Sequence, residues 1–318
     1  MMPVRSAQVD AAYNVCRAIA KREAKNFYYA FVVLPRHKSD AMCAVYAFMR
    51  KADDLADDES ISLDARREAM AAWTATWRAS RTSPTEDPVF LALNDTQQRF
   101  AISDELLEHL VSGTTMDLAA APEGVTCIEV SDPKGLSRAY QIYRDQNALE
   151  AYCYLVASVV GLVCIRIFGY TDPRAESLAI DSVKSFQLTN VMRDIKDDAD
   201  RGRIYLPASL LQEFGVTPRR LLALTAGAHP ETSELAMLHT LGARAEDLYQ
   251  SADELLPLLD TDSRPAMKVL VEIYHRLLRR TSRPQGISLH QRVSVPTAEK
   301  LLLLGVGMTQ SIKARVFG

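Results

Sequence analysis

The stretch FQLTNVMRDIKDDADRGRIYLP, residues 186–207, reads as the polar end of a helix followed by a glycine turn. At 100° per residue, Gln187, Asn190, Asp194 and Asp198 fall within an arc of about 80°. Oxygen-bearing side chains therefore recur once per turn on one face. Asp197 is displaced from the centre of that arc and Asp200 lies farther round. Amide and carboxylate oxygens repeated in this way suit a hard cation such as Mg²⁺. Arg193 within the helix, and Arg203 and Tyr205 just past Gly202, add guanidinium forks and a phenol, which suit diphosphate oxygens. Taken alone, the stretch also fits an amphipathic helix with a polar end.

A second acidic run, RKADDLADDES, residues 50–60, follows the apolar segment SDAMCAVYAFM. With Met42 set to zero, Val45, Tyr46, Met49 and Ala56 fall within about 60° of it and define the buried stripe. Asp53 falls at about 20° and Asp57 at about 60°, continuing that stripe, with Arg50 at about 80°. Asp54, Asp58 and Lys51 fall between about 120° and 180°, towards water. Two carboxylates four residues apart on an inward face repel each other and are costly to bury unpaired. An isolated DxxxD is explained by a stripe that surfaces here, with Arg50 neutralising Asp53. A divalent cation shared with a substrate phosphate relieves the same repulsion.

Composition narrows the class. The chain has 318 residues, 48% of them hydrophobic and 24% charged, as in a globular protein with a large core. A net charge of −3 makes no case for nucleic-acid binding. The five cysteines show no CxxC pairing, and MMPVRSAQVD lacks the apolar core of a signal peptide. Reduced, buried thiols in a cytoplasmic protein are the expectation. The six histidines are dispersed, without the HxxxH spacing of a zinc site. The apolar run YCYLVASVVGLVCIRIFGY, residues 152–170, contains Arg166 and reads as a buried helix. LLLLGVGM, residues 301–308, is a candidate for peripheral membrane contact at the cytoplasmic face.

Helical periodicity dominates the rest, and period-two alternation is nearly absent. Helices are expected near residues 8–24, 38–58, 64–80, 87–100, 103–119, 134–168, 173–200, 231–260 and 263–282, with a last one after Pro296. SDP before residue 134 and TDP before residue 174 place Asp and Pro where helix starts favour them. AAAPEGVTCIEVSD and RTSPTED read as loops, and Trp73 and Trp77 as a pair packed between helices. One all-α domain over residues 1–318 is the expectation.

Two polar clusters in an otherwise helical chain imply two acidic helices facing each other across a cavity that holds metal ions and a diphosphate. The aromatic and small residues of FYYAFVVLP and YCYLVASVVGL suit a long hydrocarbon beside them. A deep apolar slot with a metal–diphosphate mouth is the chemistry of isoprenoid ionisation.

The sequence resembles the squalene/phytoene synthase family, the head-to-head prenyl diphosphate synthases, from about residue 11 to residue 295. NFYYAFVVLP, AVYAFMRKADDLADD, YCYLVASVVG and the opening stretch carry the likeness. The resemblance implies a single-domain helical bundle around a central apolar cavity and a Mg²⁺-dependent prenyltransferase, with Mn²⁺ as a substitute ion. It implies metal-binding roles for Asp53, Asp57, Asn190, Asp194 and Asp198. Asn26, Arg50, Arg193, Arg203 and Tyr205 would meet diphosphate or pair with the motif acids. Tyr152, Arg50 and Gln187 would act at the reaction centre. Phe27, Phe31, Tyr46, Val156, Ala157, Val160 and Gly161 would line the cavity. Asn26 stands where many relatives carry a serine, and a tyrosine of some relatives falls at Leu270, one turn from Tyr274.

The chemistry so implied condenses two farnesyl diphosphates to presqualene diphosphate, and onward to squalene or dehydrosqualene. Condensation of two geranylgeranyl diphosphates to phytoene is the alternative within the family. An inactive lipid-binding or assembly subunit is the alternative of another class, against which all the motif acids are present. No GxGxxG motif marks an NADPH site, yet squalene-forming relatives use that reductant without one.

Overall fold

The computed structural model describes residues 5–118, 123–131, 137–282 and 287–317. Several helix starts carry their own cap. The Ser6 hydroxyl accepts from the Val9 amide at the head of α1 (Ala7–Glu23), and Ser62 and Ser103 do the same for α4 (Leu63–Ser80) and α6 (Asp104–Thr115). Asp87 caps α5 (Pro88–Phe100), which has Pro88 at its first position. α9 (Arg174–Arg193) starts directly after TDP, with the Asp172 carboxylate accepting from the Arg174 amide. α3 (Arg36–Ala56) follows Pro35, and α13 (Thr232–Leu255) opens with a reciprocal Glu231–Glu234 capping box. α14 (Arg264–Thr281) and α15 (Thr297–Phe317) complete the set expected from periodicity.

The main departure is a β-hairpin. Residues Val125–Ser131 form β1 and Ser137–Tyr143 form β2, paired antiparallel from Val125↔Tyr143 to Ser131↔Ser137. Neither VTCIEVS nor SRAYQIY alternates cleanly in sequence or in burial, so a period-two reading does not reveal these strands. The helix expected from residue 134 therefore starts only at Gln146, and SDP does not open it. The connection between the two strands, from Asp132 to Leu136, lies outside the described residues. β2 also pairs, in parallel, with β3 (Arg203–Ile204), which Gly202 introduces at φ 80°. α2 (Lys25–Val33) was not expected either, because FYYAFVV is apolar all round and shows no single face. The short α11 (Ala208–Glu213) and α12 (Pro218–Thr225) fill a stretch without a clear period.

Two long helices are also interrupted. α7 (Gln146–Cys153) runs through a π-helical turn at Tyr154–Ser158 into α8 (Val159–Phe168). This 23-residue rod is long and apolar enough to cross a membrane, yet more than half of its apolar window is buried against protein. α9 ends at Arg193; Asp194 leaves helical geometry at φ −103° and ψ 11°, and α10 (Ile195–Asp200) follows it.

α9 packs along α13 and α8, α1 along α3 and α5, and α14 against α2 and α15. Among the described residues the apolar interior forms two large clusters, one centred on α1, α3, α5 and α8, the other on the hairpin, the end of α9 and α10–α14, and a small third one of Ala52, Ala56, Met70 and Leu118 at the end of α3. Phe48, Trp73, Trp77 and Phe90 stack in the first, with ring centroids 4.8–6.4 Å apart, as the spacing of the two tryptophans implied. Lys38 is buried but fully engaged, donating to the Phe168 carbonyl, Asp260, Asp262 and Ser263, and so ties the head of α3 to α8 and α14. Cys16, Cys43 and Cys153 are buried and Cys164 half-buried, whereas Cys127 on β1 is exposed, against expectation, because it faces away from the core.

Candidate active site

At the seam between the two apolar clusters lies a cavity of about 220 Å³. The end of α3 contributes Asp53 and Asp57, α9 contributes Gln187, and the α7–α8 rod contributes Tyr152, Val156 and Val160. All six were singled out from sequence; of the stretch at residues 186–207 only Gln187 lines this cavity, whereas Asn190, Asp194 and Asp198 do not, and Asp198 lines a separate crevice. Met49, Ala56, Leu110, Gly113, Thr114 and Leu155 complete the wall and were not expected there. Gly113 had a signal, a glycine inside a helical pattern. A Cβ there would stand 2.5 Å from the Leu155 carbonyl oxygen, so α6 reaches the π-turn only as glycine.

Some expected lining residues lie elsewhere. Ala157 and Gly161 sit on the neighbouring stripe of the rod; a Cβ at Gly161 would come within 2.6 Å of Val183 on α9. They are helix-packing positions, since Tyr152, Val156 and Val160 recur at four-residue spacing and take the inward face. Phe27, Phe31 and Tyr46 form an aromatic wall outside this cavity, with centroids 6.4 and 6.3 Å apart. Tyr274 joins it at 5.6 Å from Phe27 and 4.7 Å from Phe186. The side chain of Asn26 lies outside the described residues.

At the first motif the wheel assignment is adjusted. α3 stops at Ala56 and Asp57 occupies its C-cap, exposed at the cavity mouth instead of on the buried stripe. Asp53 is half-buried, and Asp54 and Asp58 face water as expected. Arg50 pairs with Asp54 at 2.5 Å, not with Asp53, because the i,i+4 geometry places its fork on that side. Its Nε is buried without a hydrogen-bond partner among the described residues. Asp58 accepts from the Ser60 amide and hydroxyl, which hold its carboxyl below the usual range.

The second motif is tighter. Asn190 Nδ2 donates to Gln187 Oε1 at 3.3 Å, while Asn190 Oδ1 is buried and accepts nothing among the described residues. Arg193 donates to both carboxylate oxygens of Asp194 through Nε and Nη2. Arg292, absent from the sequence reading, approaches the same carboxylate at 2.9 Å and Asp197 at 3.8 Å. Nothing in QRVSVP signals that role, since a loop arginine acquires it only through tertiary approach. Burial and the neighbouring Asp194 carboxylate push the Asp198 carboxyl up to about 7, against the pull of Arg201 and Arg203. Asp198 shares a narrow crevice with Arg203 and Tyr205.

A tyrosine cluster links this crevice to the cavity. The Tyr152 hydroxyl donates to that of Tyr205 at 3.2 Å, and their rings lie 5.1 Å apart. Tyr143, from the hairpin that periodicity did not reveal, packs at 5.3 Å from Tyr152 and 5.6 Å from Tyr205.

A family pattern described as squalene/phytoene synthase matches residues 20–299. The chain is 30% identical to a phytoene synthase of Mycobacterium tuberculosis, over 96% of this chain and 93% of that one. It is 33% identical to a presqualene diphosphate synthase of Rhodopseudomonas palustris, over 60% of this chain and 61% of the relative. Among solved structures, a dehydrosqualene synthase in complex with ligand superposes with a TM-score of 0.74 at 27% identity, covering 95% of this chain and 96% of its own. Motifs, cavity and likeness agree: the chain belongs to the squalene/phytoene synthase family and is a prenyltransferase of the head-to-head type.

Proposed function

We propose that this prenyltransferase joins two farnesyl diphosphates into presqualene diphosphate, as one domain with a core over about residues 11–295. The observation that carries the choice is the structural likeness to a dehydrosqualene synthase in complex with ligand, which superposes over 95% of this chain with a TM-score of 0.74. The second reading, two geranylgeranyl diphosphates condensed to phytoene, is favoured by phytoene synthases that match nearly the whole chain.

Asp53, Asp57, Asn190, Asp194 and Asp198 are the residues to hold Mg²⁺, and the donor set fits. Asn190 Oδ1 lacks an acceptor role, and Asp198 is a carboxyl whose charge is disfavoured without a cation. Among the described residues no three His, Cys, Asp or Glu side chains already converge on one point. That suits Mg²⁺, which usually takes one or two carboxylates plus waters and substrate phosphates. When bound, the ion neutralises charge on the departing diphosphate.

The chain's own groups do the rest. Arg50 and Arg203 offer guanidinium donors to diphosphate oxygens, the free Nε of Arg50 being one, while Arg193 pairs with the motif acid Asp194. The allylic C–O bond of one substrate breaks, the C2=C3 double bond of the other attacks, and proton loss closes a cyclopropane. Tyr152 presents a ring face and a hydroxyl oriented by Tyr205 to the cationic carbon. Gln187 adds a polar contact, and Met49, Leu110, Leu155, Val156 and Val160 exclude water.

The test is mass analysis of products after incubation with Mg²⁺ and each diphosphate separately, with and without NADPH. A C30 product from farnesyl diphosphate supports the proposal, and its identity shows where the reaction stops. A C40 product obtained only from geranylgeranyl diphosphate overturns the substrate assignment.

A further inference from the structure

The peptide unit joining Ala56 to Asp57 is held at both ends. Its N–H donates to the Asp53 carbonyl at 2.8 Å, and its C=O accepts from Arg66 Nη1 at 3.0 Å. The first bond closes the last turn of α3, and the second comes from α4. A helix leaves its last carbonyls without partners of its own, and a basic side chain near that end can serve one of them. Because the peptide unit is planar, bonds at its two ends fix its orientation. That orientation sets the direction in which the Asp57 side chain leaves the backbone, one residue past the helix.

The chain beyond Asp57 adds little support. Residues 57–62 are all exposed, and Asp58 and Glu59 bond only within the turn, to Ser60 and to the Asp57 carbonyl. Beneath it, Met70 of α4 and Leu118 pack on Ala52 and Ala56, so α4 is seated on the end of α3. Arg66 Nε is buried without a hydrogen-bond partner among the described residues. A donor left so is disfavoured, and the side chain's place is set by its other edge, where Nη1 meets the carbonyl.

Arg67 makes a bond of the same kind to a different wall. Its Nε donates to the Leu118 carbonyl at 2.8 Å, at the end of the tight turn Met116–Leu118 that follows α6, and its Nη1 donates to Asp64. No acid assigned to Mg²⁺ adjoins Leu118, whereas Asp57 follows Ala56 directly. The two neighbouring arginines thus separate holding an acid from holding the fold.

We propose that Arg66 is a positioning residue for the first acidic motif: through the Ala56 carbonyl it fixes the Asp57 carboxylate relative to Asp53, so that the pair takes up Mg²⁺ at lower concentration. This rests on the reading of Asp53 and Asp57 as Mg²⁺ ligands.

The test needs no prenyl substrate. Mg²⁺ uptake is titrated by calorimetry with inorganic diphosphate present, and amide hydrogen exchange is followed in the metal-free protein. Arg66→Gln should raise the half-saturating Mg²⁺ about tenfold, as loss of a group that orients a metal ligand does. Exchange should quicken in the segment 53–62 and stay unchanged in 186–200. Arg66→Lys keeps one donor without the fork and should shift uptake about threefold; it carries the test alone if the glutamine variant does not fold. Arg67→Gln should leave both readouts as in the wild type. Wild-type uptake in the Arg66 variants, or an equal shift in Arg67→Gln, overturns the proposal. Asp53→Asn identifies which reading has failed. If it too takes up Mg²⁺ as wild type, the metal assignment falls and this inference with it; if it loses uptake while Arg66→Gln does not, this inference falls alone.

Discussion

At the end of α3, Asp57 is exposed at a helix cap, Asp53 is half-buried, and the nearby arginine leans away towards Asp54. At the break between α9 and α10, Asp194 is held by Arg193 and Arg292, Asn190 Oδ1 is buried without a partner, and Asp198 is crowded by Asp194. The first motif lines the cavity and the second lies beside it, with Asp198 in the adjoining crevice, and the two differ in what they have already spent. The second has given up hydration of its carboxylates in advance and holds them with guanidinium forks from two elements. The first keeps its hydration and must surrender it when a ligand arrives. A site built this way has a rigid wall and an open lip.

The largest effect that can break this contrast is loss of an acid. Asp53→Asn and Asp194→Asn should each lower kcat by about 10²–10³-fold. Raising Mg²⁺ should recover part of the Asp53→Asn turnover and little of the Asp194→Asn turnover, because Asp194 also organises two arginines. Full activity in both variants sinks the ligand assignment; equal rescue removes the contrast.

The next effect concerns the hairpin. Tyr143→Ala should cost about tenfold in kcat by loosening Tyr152 and Tyr205, whereas Tyr143→Phe, which keeps the ring contacts, should stay near wild type. Equal loss in both variants would show that the Tyr143 hydroxyl acts directly.

Stability without metal separates the motifs more finely. Asp198→Asn should stabilise the metal-free protein by about 1–2 kcal/mol in urea unfolding, since it removes a disfavoured charge. Asp57→Asn, at an exposed cap, should change it by no more than about 0.5 kcal/mol. A destabilised Asp198→Asn would mean that its carboxylate is held by partners stronger than Arg201 and Arg203.

The smallest effect belongs to the exposed Arg50–Asp54 pair. Asp54→Asn should alter stability by under about 0.5 kcal/mol and turnover by about twofold at most. A larger loss of turnover would show that Asp54 holds Arg50 in its working position.

What the amino-acid order determined by itself is local and periodic. Apolar spacing marked most of the long helices, capping residues marked several of their starts, and the 100° turn placed Asp53 inward and Asp54 and Asp58 outward. The same arithmetic put Gln187 on the inward face, and the family resemblance placed Tyr152, which also lines the cavity. What only the tertiary structure decided is where unlike segments meet. FYYAFVV becomes a helix because α14 and α15 cover it, and VTCIEVS and SRAYQIY become strands because they pair with each other. The break at Asp194 turns Asp198 towards Arg203, and Arg292 arrives from a loop 98 residues later in the chain. Periodicity reports which way a side chain points along its own element. It carries no information on which distant surface that side chain meets, and at this site those meetings set the charges.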